Sequence, residues 1–258
     1  MFSIKPLAVA TLLSASLPAL AEMNTSEITQ EGDYHSAVVE QTATSSYASV
    51  YQQEEYHRLS LQQSQGDSNY AAIIQKGSMN QIDFSQSGDN NRAEIGQGSA
   101  EHIINASQTG SNNELFIAQD SSGYASSIRS STVGNDNSVT IEQNTVLGSI
   151  DYSVEGDSNI IQVRQTTITE TIEGATNGNS NTVDITQTGQ YNGSIRIAQN
   201  GDFNDVGLVQ ASYEGSSHAI VNQSGSFNKA YVEQLLNSNG SNATLSQTGI
   251  GNSASIIQ

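Results

Sequence analysis

The stretch QSGDNNRAEIGQ, Gln86–Gln97, returns as QTGSNNELFIAQ at Gln108–Gln119 and again as QTGIGNSASIIQ at Gln247–Gln258. One Gly, one Asn and two Gln keep fixed offsets while the residues between them drift. Asn91, Ala93, Ile95 and Gln97 alternate with Arg92, Glu94 and Gly96. A period of two is the mark of a strand with one face turned inward. Gly88, three residues before Asn91, marks a corner that needs positive φ or a close approach of backbones. Each copy therefore reads as a corner followed by a strand.

Stepping along the chain on Gly-x-x-Asn gives Gly66/Asn69, Gly88/Asn91, Gly110/Asn113, Gly134/Asn137, Gly156/Asn159, Gly178/Asn181, Gly201/Asn204, Gly225/Asn228 and Gly249/Asn252, at intervals of 22 to 24 residues. A degenerate tenth copy sits at Ala43/Ser46. Six residues beyond each Asn position stands a Gln: Gln52, Gln75, Gln97, Gln119, Gln143, Gln165, Gln187, Gln210, Gln234 and Gln258. Repeats of this length signal stacked units that bury their faces against one another. Halfway between these strict copies lie looser ones, Gly32/His35, Gly77/Asn80, Ser99/His102, Gly189/Asn192 and Gly215/His218. The reading is an all-β chain: a β-solenoid of about ten rungs, each strand-corner-strand, forming two in-register parallel sheets. Equivalent residues of successive rungs then lie above one another. Stacked carboxamides, each with donors and an acceptor, can satisfy one another even when buried.

That register makes a charge forecast. Arg92 falls over Glu114, Asp205 over Lys229 and Glu142 over Arg164, so no outward column of the strict strand stacks like on like.

Composition narrows the function. The chain has 258 residues, a net charge of −18, only eight Lys and Arg, and no Cys. Nucleic acid and anionic membrane surfaces both require clustered basic residues, and none exist. Disulfides and thiolate metal sites are excluded. The start, MFSIKPLAVATLLSASLPALAEM, has the charge, short apolar run and small-x-small ending of a secretory signal. Residues 1–21 are expected to be that signal, 22–31 a short tail, and 32–258 the solenoid. No segment has the roughly 20 apolar residues of a membrane helix, so no membrane insertion is expected. Pro6 and Pro18 are the only prolines. The chain after the signal therefore has none, as ladder strands require.

The pattern Gln-x-Gly-x-x-Asn-x-Ala-x-x-x-Gln resembles the repeat of the curlin family, the subunits of bacterial curli fibres. The resemblance extends over Gly32–Gln258. It implies an exported subunit of a Gram-negative bacterium that joins a functional extracellular amyloid serving adhesion and biofilm. Its implied partners are further copies of itself, a second curlin and an outer-membrane secretion pore. The Asn and Gln columns are the expected self-assembly determinants, with the corner glycines as their hinges, and no catalytic residue, cofactor or metal is expected. The leading Gln gives way to Thr132, Val154 and Thr176 in the middle units. That stretch, around 145–176, is expected to act as a gatekeeper that slows premature growth.

Other readings have weaker support. His35, His57, His102 and His218 all fall at the Asn place of looser copies; they are either a polar ring standing in for Asn or a pH-sensitive spot at His35/His57. Asp33, Asp67, Asp89, Asp157 and Asp202 follow corner glycines, but calcium-binding solenoids require a Gly-Gly pair that this chain lacks, so solvated turn residues are expected. A polysaccharide lyase would need large insertions to shape a cleft, and none exceeds three residues. An ice-binding or adhesin solenoid would want Thr-x-Thr arrays, hinted at only near Thr166.

Overall fold

The computed structural model describes residues 9–13, 23–120, 125–189, 193–212, 215–235 and 240–258. Among them there are strands and corners and no helix. The strict copies supply one sheet of eleven parallel strands: β2 (Thr25–Asp33), β4 (Tyr47–Glu55), β6 (Tyr70–Gln75), β8 (Arg92–Gln97), β10 (Glu114–Gln119), β12 (Ser138–Thr145), β14 (Ile160–Thr167), β16 (Thr182–Gly189), β18 (Asp205–Ser212), β20 (Lys229–Gln234) and β22 (Ser253–Ile257). The looser copies supply the other eleven: β1 (Val9–Leu13), β3 (Ser36–Gln41), β5 (Arg58–Ser64), β7 (Gln81–Ser87), β9 (Ile103–Thr109), β11 (Ser127–Val133), β13 (Ser149–Glu155), β15 (Thr171–Asn177), β17 (Ser194–Asn200), β19 (His218–Ser224) and β21 (Asn242–Thr248). The chain alternates between the two sheets, one strand each per turn, which is the expected β-solenoid.

Register follows the repeat residue by residue. Ala93, Leu115 and Val139 stack, as do Ile95, Ile117 and Ile141, and Gln97, Gln119 and Gln143. Alternate residues are buried along most of the strands between the end rungs, as in Ala71, Ile73 and Gln75 of β6. The inward aliphatics of both sheets form a single core cluster. A corner glycine is needed because the next rung passes directly overhead. A Cβ on Gly88 would lie 2.0 Å from the carbonyl oxygen of Gly110, and Gly88 itself has φ 106°.

Three details depart from the sequence reading. The stretch expected as a tail, 22–31, contributes β2, which runs parallel to β4 with Ile28 beside Val50 and Gln30 beside Gln52. Its copy was hidden because Ala21 stands where the corner glycine would be. Of the expected signal, 1–21, only Val9–Leu13 are described; they form β1 against β3. The charge columns hold for Lys229–Asp205 at 3.0 Å and Arg164–Glu142 at 2.8 Å. Arg92, however, pairs with Glu94 on its own strand instead of Glu114 and lies over the Tyr70 ring. A same-face neighbour two residues along, about 6.6 Å away at a rise of about 3.3 Å per residue, is within reach of the long Arg side chain.

Candidate functional site: the side-chain ladders

The Asn column begins where the chain leaves a corner. Each Asn is the first inward residue before a strict strand, and the residue ahead of it is left-handed, as at Asn90 (φ 55°) and Asn112 (φ 57°). That geometry aims the carboxamide along the solenoid axis. The Asn113 Oδ1 accepts the backbone N–H of Asn137 at 3.1 Å and the Nδ2 of the same residue at 3.0 Å. Asn113 Nδ2 donates backward to Asn91 Oδ1 at 3.0 Å and forward to the Gly134 carbonyl at 2.7 Å. Every side-chain donor and acceptor of a buried amide is thereby used, which no other residue type of this size could match. The same pattern runs through Asn69, Asn91, Asn113, Asn137, Asn159 and Asn181. Between Asn181 and Asn204 the backbone N–H of Asn204 makes the link, and the side-chain bonds resume at Asn204, Asn228 and Asn252.

The Gln column is unbroken. Each Nε2 donates to the Oε1 of the next rung, at 2.7 Å from Gln52 to Gln75, then at 2.8 to 3.0 Å through Gln97, Gln119, Gln143, Gln165, Gln187, Gln210 and Gln234. The last link, Gln234 to Gln258, is 3.4 Å. The second Nε2 hydrogen crosses to the facing sheet, as from Gln75 to the Asn80 carbonyl at 3.1 Å. The Gln column therefore stitches rung to rung and sheet to sheet.

The corner glycines Gly66, Gly88, Gly110, Gly134, Gly156, Gly178, Gly201, Gly225 and Gly249 all have positive φ and sit in one file.

Several ladder residues escaped the sequence reading. Asn24 and Gln30 extend the strict columns, with the Ser46 N–H bonded to Asn24 Oδ1 at 2.9 Å and Gln30 bonded to Gln52 at 2.7 Å. The motif's leading Gln, fixed in the sequence at Gln86, Gln108 and Gln247, proves to belong to a separate ladder in the looser sheet, Gln41–Gln63–Gln86–Gln108, which resumes as Gln199–Gln223–Gln247. The gap between the two is filled by Thr132, Val154 and Thr176, all buried. There Tyr152 turns its ring inward over Gly174, where a Cβ would approach to 2.0 Å, and its hydroxyl meets Thr176 at 2.9 Å. Burial pushes the Tyr152 phenol far above its ordinary range. The corner Asp residues are more than solvated turns. Asp89, Asp157 and Asp202 each accept a backbone N–H from a neighbouring rung, at 2.7 to 2.8 Å, and Asn135 and Asn179 do the same at 2.9 to 3.0 Å.

Three of the four histidines share the expected column. His35 and His57 stack with centroids 5.1 Å apart, and His102 continues the file. They mimic Asn: His57 Nε2 bonds the Gln53 carbonyl at 2.7 Å, and His102 Nδ1 accepts the Ser126 N–H at 3.2 Å. Burial lowers the pKa of His57 and of His102 below the ordinary imidazole value. His218 is not in this file. Ser217 takes the inward place and His218 faces solvent, because the corner ahead of β19 turns one residue earlier than the Gly-x-x-His spacing implies. Asn192 lies outside the described residues; the place it was assigned belongs to Gly193, whose carbonyl receives the Thr171 N–H.

Among the described residues no group of three or more His, Asp or Glu is placed to hold a metal ion. The molecule is thus a parallel two-sheet solenoid whose distinguishing apparatus is a set of axial hydrogen-bonded files. Residues 24–53, 65–98 and 216–249 match the family model described as Curlin associated repeat. Among curated proteins no significant match is found.

Proposed function

We propose that the chain is an exported structural subunit that stacks end to end into extracellular cross-β fibres for adhesion and biofilm matrix. The observation that carries this reading is that the columns of the last strict strand and the first are the same. Asn252 occupies the file of Asn24, Ile256 that of Ile28 and Gln258 that of Gln30. A second copy set on the β22 edge would meet like residues at each place. Among the described residues no strand pairs with the far side of β22, where Ile257 is 68% exposed and no Pro interrupts the strand. An unblunted edge of this kind templates further pairing.

The curlin repeat supports self-assembly, and the leader-like start supports export. A second curlin and an outer-membrane pore are the partners this reading implies. The Asn and Gln files of the strict sheet are its assembly determinants. We assign no catalytic role.

Purified residues 22–258 should bind thioflavin and give fibre reflections near about 4.7 Å and about 10 Å. A soluble monomer without those reflections would overturn the reading and favour a solenoid that binds ice or a surface as a monomer.

A further inference from the structure

Two pairs of tyrosines stack on the outside of the first rungs, where the core does not require them. Tyr34 and Tyr56 have centroids 4.7 Å apart and planes within 4°; they are 58% and 49% exposed. Both sit at corner positions with left-handed backbone, φ 62° and 57°. Phe203 and Phe227 stack in the same left-handed corner place, so the repeat sets this conformation and holds rings of successive rungs face to face there. Tyr47 and Tyr70 are register partners on the outer face of β4 and β6, stacked at 5.3 Å and 13°.

We propose that these two pairs are oxidative cross-linking sites, at which hydrogen peroxide turned over by a haem peroxidase joins successive rungs through a dityrosine bond. In-register parallel pairing holds two phenols about 4.8 Å apart permanently. That proximity replaces the slow encounter of two radicals with a fixed neighbour. Tyr47 is also provided with a base, since its hydroxyl donates to the Glu27 carboxylate at 3.1 Å. The carboxylate is positioned to take the phenolic proton as the ring gives up an electron.

The chemistry balances. Each of two phenols loses one electron and one proton to become a tyrosyl radical. The radicals couple through ortho carbons, forming one C–C bond. The two displaced ring hydrogens move to the oxygens and restore both phenols. Peroxide takes up the two electrons and two protons, its O–O bond breaks, and two waters leave.

Register also says which tyrosines are spared. Tyr51 has the same kind of hydrogen bond, to Glu31 at 2.9 Å, but its neighbour one rung on is Ile74. Tyr231 lies between Gly207 and Ser255. Tyr152 is buried. Each cross-link would tie the chain to itself across one rung, a covalent strap where the solenoid otherwise relies on hydrogen bonds. Both pairs lie within a single chain, so the inference does not depend on fibre formation.

The test treats the full chain with peroxide and a haem peroxidase, once folded and once in denaturant, and maps products by tryptic mass spectrometry. Cleavage at Arg58 and Lys76 leaves Tyr34, Tyr47 and Tyr56 on one peptide and Tyr70 on the next. The folded protein should yield the two peptides joined through Tyr47 and Tyr70, and a loss of two hydrogens within the first peptide that maps to Tyr34 and Tyr56. Tyr70→Phe should abolish the first product alone and Tyr56→Phe the second alone, with unchanged circular dichroism, since phenylalanine keeps the stacked ring. Absence of dityrosine, or the same scatter of pairs from folded and denatured chain, would overturn the proposal.

Discussion

A single carboxamide explains why the fixed residues are fixed. Asn137 bonds the Asn113 Oδ1, the Gly156 carbonyl and, through its own Oδ1, the N–H and Nδ2 of Asn159. Replacing Asn137 by Leu leaves buried partners on both neighbouring rungs unsatisfied, at about 1–3 kcal/mol for each group. The expected loss is about 3 kcal/mol or more, read as a fall in the denaturant midpoint. Leu at the outward position of Ser138, half-exposed beside it, should move the midpoint little. The histidines that substitute for Asn carry a different liability. The folded pKa of His57 lies below its ordinary value of 6.5, through burial first and with a smaller push from neighbouring His35, against an opposing pull from the Gln53 carbonyl and then Glu54. His102 is lowered by burial against an opposing pull from Asp120. A lowered histidine pKa means the unfolded chain binds protons first as pH falls. The stability these residues contribute is therefore present above pH 6.5 and lost as pH falls through their lowered folded values. His57→Asn should flatten the dependence of unfolding midpoint on pH between about 5 and 7. A profile identical to that of the unsubstituted chain would leave His57 as a neutral stand-in for Asn.

At the level of strands and corners, the strand is the invariant part. Counting six residues back from each inward Gln of the looser sheet lands on His35, His57, Asn80 and His102, then on Gly193, Ser217 and Ser241 from Gln199, Gln223 and Gln247. The same count from Gln30 lands on Asn24. Both misplacements in the sequence reading came from measuring across the corner, whose length varies, instead of along the strand, whose pleat cannot. Parity and period thus revealed both sheets, their register and the main ladders. Hydrogen bonds of corner Asp and Asn residues were not legible, because they depend on the path of the next rung overhead. Nor was the inward Tyr152, whose room is made by Gly174 on the following rung. Corners also differ in what they tolerate. Gly156→Ala sets a Cβ 2.1 Å from the Gly178 carbonyl oxygen and adds backbone strain at φ 123°. Gly249→Ala suffers similar strain at φ 112°, but its nearest atom is Asn252 Nδ2 at 3.4 Å. Strain alone is worth about 1–3 kcal/mol. Gly156→Ala should lower the unfolding midpoint clearly further than Gly249→Ala; equal shifts would mean the overhead contact relaxes freely.

For the whole molecule the ladders set a direction. The amide-to-amide bonds of the Asn file run toward the earlier rung, whereas those of the Gln file run toward the later one, as in Asn137 to Asn113 and Gln119 to Gln143. The two ends of the solenoid therefore present different chemistry, donors from one file and acceptors from the other. Growth at the β22 edge would use the Gln258 amide, which is exposed and receives one long bond from Gln234. Gln143, by contrast, is held from both sides, at 2.8 Å and 2.9 Å. This separates two effects that any substitution in the file might otherwise confuse. Gln258→Leu should leave the stability of the soluble chain nearly unchanged and slow elongation from preformed seeds. Gln143→Leu should lower stability and, once seeded reactions are compared at equal folded fraction, elongate at close to the original rate. Seeded thioflavin kinetics alongside denaturant unfolding measure both. If the two variants elongate equally slowly at matched folded fraction, the β22 edge is not where copies join.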